Sequence, residues 1–408
     1  MGNQTIIPQQ LRVGLYVHLD IPWMEHPFLT NSFKIKDEAQ LKTLLRLRMS
    51  SLRYEPGRSD CAPLPRPAVI SAPREEDASS LLDDLLWIEK KARIEHLKEQ
   101  RIATHRCENH YTEAVAGIRK LMANLIADPE GSMIQACTLV NGLIQELTSH
   151  DQLTLQLLNL KDRGTGTFHH AIHVTNISLM VGRTLALSAV DLQLLGLGAL
   201  FHDLGHLRVP VTLLRKKEPL TPAEKSLYER HPLYGMEIAN KLPAFPPDVV
   251  EIIANHHEFV DGTGSPRGLR GDQISNWAQV VAMANAYDHY CNRPDPKTSL
   301  SPHEAISLMY ARERSHYNNT VFTAFIASLG IYPPGTIVRL TDGRISSVVS
   351  INKQQLLRPR VLVFDPYIPK TEALILDLSE EEVSIEISLR RQDLSPQVTG
   401  YFNLTERA

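Results

Sequence analysis

The sequence predicts a mainly α-helical protein with a small β-rich module at each end. Apolar residues recur at spacings of three and four over most of residues 77–329, which is the helical period. Near the N-terminus, stretches such as LRVGLYVHL and FLTNSFKI alternate in polarity, as strands do. Near the C-terminus, an Asp342-Gly343 pair separates two apolar stretches, which is typical of a β-hairpin.

Changes of composition along the chain predict four segments. Residues 1–55 are expected to form the N-terminal module, and residues 56–131 a proline-rich linker followed by long helices. Residues 132–330 are expected to form an all-helical domain, and residues 331–408 a small β-rich C-terminal extension. The long helices before residue 131 could either pack on the next domain or form the interface of a homodimer, and the pattern leaves both open.

Composition narrows the classes of function. The 408 residues are 43% hydrophobic and 22% charged, as in ordinary globular proteins. A net charge of −3 argues against a polymeric nucleic acid as partner. The four cysteines form no CxxC pair, and the N-terminus does not resemble a signal peptide. The most apolar long window is interrupted by Arg183 and Asp191, so we expect no membrane span and a cytoplasmic location.

The central domain carries histidines on the apolar faces of its helices. The stretch FHDLGHL ends an apolar helix and places His202 beside Asp203. His256 and His257 continue the apolar side of a second helix, and His170 lies on a third. Burying such groups unpaired costs about 2–7 kcal/mol for a neutral polar group and more for a charge. These buried side chains must therefore have bonding partners inside the domain.

Metal ions are the partners that this set of side chains suits. A single histidine on an apolar face is usually a satisfied core residue, but here the pattern recurs and includes a carboxylate. Imidazole and carboxylate donors together bind first-row transition metals, and the lack of a cysteine cluster argues against a structural zinc knuckle. Two metals bridged by Asp203 would lower the pKa of a shared water and hold phosphoryl oxygens.

At these residues the sequence resembles the HD-GYP family, the metal-dependent phosphodiesterases of bacterial cyclic di-GMP signalling. FHDLGHLRVP is similar to the HDxGK motif of the family, and YERHPLYG carries its isolated histidine. HHEFVDGTGSPRGLRGDQI resembles the signature that names the family, and AMANAYDHY resembles its last helix. YVHLDIPWMEHPF resembles a small domain of unknown function that is often joined to this catalytic domain.

The resemblance implies a helical HD-type catalytic domain and a set of site residues. One metal would take His170, His202, Asp203 and Asn285, and the second would share Asp203 and take His231, His256 and His257. Iron or manganese would be the metals, with nickel, cobalt and zinc as alternatives. Lys297 and Arg293 lie at or near positions that contact the substrate phosphate in the family, although both could equally be solvated surface charges.

The sequence departs from the family at three positions. The lysine of HDxGK is His206, which can titrate near neutral pH, and the last aspartate ligand is the neutral Asn285. The tyrosine of the signature is Ser265, in a loop that is either a tight connection or a closing and partner-binding element. That signature loop contains Asp261, Gly262, Gly264, Ser265 and Pro266.

Two main functions follow from the resemblance. The first is a phosphodiesterase that hydrolyses cyclic di-GMP to pGpG, GMP or both through a hydroxide activated by two metals, with Asp203 and His206 as catalytic residues. The second is a partly degenerate receptor or signalling scaffold that binds cyclic di-GMP without cleaving it. Another nucleotide phosphohydrolase of the wider superfamily is a third. A diguanylate cyclase or another signalling protein is the expected protein partner.

Overall fold

The computed structural model describes residues 4–21, 25–28, 30–47, 49–66, 80–158, 166–216, 218–293, 295–370 and 373–402. Within these ranges it contains thirteen α-helices and nine short strands, so the prediction of a mainly α-helical protein is confirmed. None of the helices in the described ranges is both long enough and apolar enough to cross a lipid bilayer. Residues 67–79 of the predicted proline-rich linker lie outside the description.

The N-terminal segment forms a four-stranded antiparallel sheet with one helix. The strands have the order β1-β4-β2-β3. Alternate strand residues such as Val17 and Leu52 are fully buried, as the period of two requires. Helix α1 adds Leu44 to this core, and Asp37 caps its N-terminus. The elements are β1 (Gln4–Ile6), β2 (Tyr16–His18), β3 (Ser32–Lys34), α1 (Glu38–Arg46) and β4 (Leu52–Tyr54).

Two long helices follow, α2 (Ser80–Asn124) and α3 (Pro129–Leu158). The chain divides into two compact units, one of Met1–Ile102 with Phe364–Leu374, and one of Ala103–Val363 with Ile375–Ala408. This division falls inside α2, whereas the sequence pattern places a boundary at residue 131. The four segments therefore stay a prediction.

The second unit contains a bundle whose central helices are buried on nearly every face. Helix α4 buries twelve consecutive residues from Ala171 to Gly182, and α5 and α10 are almost as enclosed. At the outer end of α5, Ser188 caps the helix and Val190 is 67% exposed, whereas the inner end, Leu195–Phe201, is continuously buried. The helices are α4 (Thr167–Thr184), α5 (Ala189–Phe201), α6 (Val211–Leu214), α7 (Pro222–Tyr228), α8 (His231–Asn240), α9 (Pro247–Asn255), α10 (Asn276–Cys291), α11 (Pro302–Arg312) and α12 (Asn319–Leu329).

The C-terminal segment forms a five-stranded antiparallel sheet of order β8-β7-β6-β5-β9. The predicted hairpin forms between β5 and β6, and Gly343 adopts a φ of 86° in its turn, where a residue without a side chain is favoured. The elements are β5 (Ile337–Leu340), β6 (Ile345–Ser350), β7 (Arg360–Val363), β8 (Ile375–Asp377), β9 (Ile385–Leu389) and α13 (Pro396–Phe402).

Candidate metal centre

Helix ends bring the histidines and Asp203 together. Helix α5 ends at Phe201, so His202 lies at its C-cap, and Asp203 leads into the 3-10 helix Leu204–Arg208. His256 occupies the same C-cap position on α9. His231 is the first residue of α8, and this end lies against Gly205, where an added Cβ would meet the His231 carbonyl oxygen at 1.8 Å. Only glycine at position 205 permits this approach.

Asp203 lies at the centre of the cluster. Its two carboxylate oxygens face five imidazole rings at distances of 3.3 to 3.9 Å. Oδ2 faces His206, His202 and His170, and Oδ1 faces His231 and His256. Within the described ranges, three groups of side chains have donor atoms close enough to share an ion, and Asp203 belongs to two of them. The groups are His170 with His202 and Asp203, Asp203 with His206 and His231, and His231 with His256 and His257.

Backbone carbonyls determine which ring nitrogen of three histidines carries the proton. His202 Nδ1 lies 2.7 Å from the Ala199 carbonyl oxygen, and the Nδ1 atoms of His231 and His256 lie 2.9 Å from the carbonyl oxygens three residues before them. A carbonyl only accepts hydrogen bonds, so each Nδ1 must donate. In the neutral ring, Nε2 then presents a lone pair towards the cluster.

Burial favours the neutral form of three rings of the cluster, His202, His256 and His257. Burial lowers the pKa of His202 to about 4 and that of His257 to about 3, and it lowers the pKa of His256 well below the ordinary range. Burial alone would raise the pKa of Asp203, but the neighbouring imidazoles, His202 first, lower it well below the usual carboxyl value. Neutral imidazoles beside an ionised carboxylate are the protonation states in which such side chains bind metal.

These distances fit divalent metal ions. His170 Nε2 lies 3.2 Å from His202 Nε2, and His231 Nε2 lies 3.1 Å from His256 Nε2. In the neutral His231 and His256 rings, whose Nδ1 protons point to carbonyls, two lone pairs face each other and repel unless a cation or a proton lies between them. Imidazole nitrogens bind such metals at about 2.0–2.1 Å, so two donors on one ion lie about 2.9–3.4 Å apart. The residues present therefore fit a metal centre.

His170 is held in place by residues outside the predicted ligand set. Its Nδ1 lies 2.6 Å from Asp288 Oδ2, and Asp288 Oδ1 lies 2.7 Å from His173 Nδ1. The Tyr111 hydroxyl on α2 lies 2.8 Å from both His173 Nε2 and His169 Nδ1. Burial opposes protonation of His170, but the hydrogen bond and the charge of Asp288 raise its pKa. Neither Asp288 nor Tyr111 belongs to the set of site residues that the sequence predicted.

Asn285 lies one turn before Asp288 on α10 and is buried. Its Oδ1 is buried and makes no hydrogen bond of ordinary geometry among the described residues, although it lies close enough to the His170 ring to help raise the pKa of that ring. An amide oxygen with this placement is available as a neutral ligand.

The signature loop packs beneath His257. The backbone N–H of Ser265 donates to the His257 carbonyl oxygen at 3.0 Å. Gly264 lies so close to residues 257–259 that an added Cβ would be 2.3 Å from the Phe259 nitrogen. The fully buried Glu258 accepts hydrogen bonds from the backbone N–H groups of residues 267 and 269 at 2.7 and 2.9 Å. Hydrogen bonds to His257 and Glu258 therefore hold the loop in place next to a histidine of the cluster.

The other residues of the signature loop serve its turns. Gly262 has a φ of 80°, and the Asp261 carboxylate accepts a hydrogen bond from the backbone N–H of Thr263 at 3.0 Å. Pro266 follows a cis peptide bond.

The two predicted phosphate contacts lie in different surroundings. Arg293 is close enough to His289 for its charge to help lower the pKa of that ring, and the His289 ring lies 5.5 Å from the ring of His170. Lys297 lines a separate cavity of about 220 Å³ with Arg390 and Arg391, and no histidine of the described ranges lines that cavity.

Comparisons with known proteins identify two domains in the chain. A sequence model of the HD domain matches residues 120–321, and a model of a domain of unknown function, DUF3391, matches residues 3–136. The chain is 31% identical over 357 residues to a protein of Pseudomonas aeruginosa named cyclic di-GMP phosphodiesterase PA4108, and the match covers 87% of this chain and 83% of that protein.

Other relatives match over the HD region. The chain is 29% identical to the 3′3′-cGAMP-specific phosphodiesterase 3 of Vibrio cholerae, over 41% of this chain and 36% of that protein. It is also 29% identical to the cyclic di-GMP phosphodiesterase response regulator RpfG of Xanthomonas campestris, over 41% of this chain and 46% of that protein. The chain thus spans less than half the length of these two relatives.

Among solved structures, the HDG"Y"P protein Bd1817 of Bdellovibrio bacteriovorus is similar at a TM-score of 0.46 and 19% identity, over 79% of this chain and 98% of that one.

The domain match and the relative that shares most of the chain define the class as HD-domain proteins with an N-terminal DUF3391 segment. Within that class, the chain belongs to the HD-GYP family.

Proposed function

We propose that this protein is a metal-dependent phosphodiesterase that hydrolyses cyclic di-GMP to pGpG, GMP or both. The observation that carries the proposal is the convergence of five imidazoles on the two oxygens of Asp203. Two divalent cations, iron or manganese by preference, would polarise the phosphodiester and lower the pKa of a bound water. Nickel, cobalt and zinc are alternatives with the same donor preferences.

The residues of the chain have separate tasks in this proposal. His170 and His202 with Asn285 would hold one cation, and His231, His256 and His257 would hold the other. Asp203 would bridge both. The carbonyl oxygens of Ala199, Tyr228 and Ile253 keep the protons on Nδ1, so the Nε2 lone pairs stay available. Arg293, near His289, would contact a substrate phosphate, whereas the predicted contact of Lys297, which lines a separate cavity, stays a prediction.

The names of the relatives support a cyclic dinucleotide as substrate. The relative that shares most of the chain is named for cyclic di-GMP, whereas one of the Vibrio cholerae relatives is named for 3′3′-cGAMP. We therefore propose cyclic di-GMP as the substrate and 3′3′-cGAMP as the competitor to be tested beside it. A cytoplasmic location, a homodimer through the long helices before residue 131 and a diguanylate cyclase or other signalling protein as partner stay predictions.

A non-catalytic receptor for cyclic di-GMP is the second candidate. Three departures from the family pattern favour it: the neutral amide of Asn285, the imidazole of His206 and the small hydroxyl of Ser265. The oxygen of Asn285, which is buried and makes no hydrogen bond of ordinary geometry within the described part of the chain, favours the enzyme, because it is placed as a ligand would be.

Hydrolysis assays separate the two candidates. The full chain is incubated with Mn²⁺ or Fe²⁺ and either cyclic dinucleotide, and the products are separated by chromatography. We expect pGpG or GMP from cyclic di-GMP, and loss of turnover in His202→Ala and Asp203→Ala. His303→Gln serves as the control that keeps activity. It changes a histidine of α11 whose Nδ1 lies 2.8 Å from the Ile331 carbonyl oxygen.

Each outcome bears on one candidate. Binding of cyclic di-GMP without products in any of the metals would support the receptor. Turnover that persists in both His202→Ala and Asp203→Ala would contradict the metal mechanism.

A further inference from the structure

His206 lies where a metal ligand would lie. It belongs to the 3-10 helix Leu204–Arg208, whose tight turn returns its ring to the residue three positions earlier. Its Nδ1 is 3.4 Å from Asp203 Oδ2, and its ring centroid is 4.4 Å from that of His231. Donor atoms of these three residues lie within 4.8 Å of one another, which meets the distance requirement for a shared ion.

The distance to Asp203 favours coordination over a hydrogen bond. A hydrogen bond between an imidazole and a carboxylate normally spans about 2.7–2.9 Å, whereas two donors on one ion lie about 2.9–3.4 Å apart. The other nitrogen, His206 Nε2, is buried and has no hydrogen-bond partner among the described residues. The side chain as a whole is 14% exposed, so an ion or a water molecule can reach it.

The change from lysine to histidine at this position changes what the side chain can bind. A protonated lysine has three donors and no lone pair, so it can contact a phosphate but cannot hold a cation. A neutral imidazole offers a lone pair and is the commonest metal ligand in proteins. Position 285 carries a neutral amide, so Asp203 is the one carboxylate in the possible metal-binding groups of the described residues, and His206 adds an imidazole to them.

Resting on the proposed function, we propose that His206 is an additional metal ligand, which joins Asp203 and His231 on the second ion. The site would then hold that ion with four imidazoles and the bridging carboxylate. His206 would thereby act on the metal rather than on the substrate phosphate, and the phosphate charge would be balanced by the ions and by Arg293.

Metal binding in the full chain tests this role separately from activity. The protein is stripped with a chelator and titrated with Co²⁺, whose visible absorption reports the number and type of ligands, and the affinity is measured by competition with a coloured chelator. The variants are His206→Gln, His206→Lys and His202→Ala, and His303→Gln is the control. Thermal unfolding of each stripped variant checks that it is folded.

We expect His303→Gln to bind two ions, each with the affinity that the wild-type protein has for it. Both His206 variants should bind one of the two ions at least tenfold more weakly and show a changed Co²⁺ spectrum, because a direct ligand should cost no less than an outer partner of a ligand does. A stripped His206→Gln that unfolds at the wild-type temperature and binds more weakly supports the proposal.

Two results would overturn the inference while leaving the proposed function intact. The first is a pair of His206 variants with wild-type affinities and spectra, while His202→Ala loses an ion. The second is a His206→Lys variant that turns over cyclic di-GMP faster with both affinities unchanged, which would assign position 206 to the phosphate. A wild-type chain that binds no Co²⁺, Mn²⁺ or Fe²⁺ would instead refute the proposed function itself.

Discussion

Replacing Asp288 by asparagine should weaken the metal centre without touching a metal ligand. Asp288 is 4% exposed and accepts three hydrogen bonds, from His170 Nδ1 at 2.6 Å, His173 Nδ1 at 2.7 Å and Asn292 Nδ2 at 2.7 Å. An asparagine keeps one oxygen and replaces the other by an N–H₂ group, which cannot accept from an imidazole. One of the two histidines then faces a donor instead of an acceptor.

The expected loss of metal affinity in Asp288→Asn follows from the requirements for metal binding by His170. Its Nε2 can bind an ion only if the ring proton stays on Nδ1, and the carboxylate of Asp288 both holds that proton and makes the ring more basic. Loss of such an outer partner typically costs 10–100-fold in metal affinity, or about 1.4–2.8 kcal/mol. Loss of a hydrogen bond to a buried charge adds about 1.5–3 kcal/mol of lost unfolding free energy.

The assay is a Mn²⁺ titration by chelator competition, together with urea unfolding of the stripped protein. Asp248→Asn, an exposed carboxylate in the first turn of α9, is the matched control and should change neither quantity by more than a few tenths of a kcal/mol. An Asp288→Asn variant that binds both ions as tightly as the wild type, with the same stability, would refute the role given to this carboxylate.

Two further predictions concern the signature loop and the N-terminal segment. Gly264→Ala should destabilise the protein by about 1–3 kcal/mol and lower its metal affinity, because the added Cβ would lie 2.3 Å from the Phe259 nitrogen and 2.6 Å from the His257 carbonyl oxygen. Urea unfolding measures the change in stability. Gly142→Ala is the control and should be neutral or stabilising, because the space around Gly142 is open. His26 is fully buried, and burial lowers its pKa to about 4, so the unfolded chain binds the proton more readily between pH 6.5 and 4. Protonation of His26 in the unfolded chain therefore lowers the free energy of unfolding by about 2 kcal/mol at pH 5 relative to its value well above pH 6.5. His26→Gln should remove this pH dependence from the free energy of unfolding. An unchanged pH dependence would contradict the assignment.

The sequence predicted those parts of the site that depend on local pattern. The apolar run of α5 predicted that His202 and Asp203 would lie at a buried helix end, and the period of α9 did the same for His256. The pairing of His170 with Asp288 joins residues 118 positions apart, and that of Tyr111 with His173 spans 62, so no local period could reveal either. The cavity that contains Lys297 likewise depends on the C-terminal sheet, whose packing the sequence pattern does not specify.

The bonds of Tyr111 make the histidine cluster sensitive to the position of a long helix. One residue along α2 corresponds to 1.5 Å of rise and 100° of rotation. Both of the 2.8 Å contacts of the Tyr111 hydroxyl would be lost after a slide of that size. His173 would then be free to turn, and Asp288 would lose one of the two rings that fix its orientation towards His170. A displacement of α2 along its axis would in this way reach the histidine cluster through three side chains.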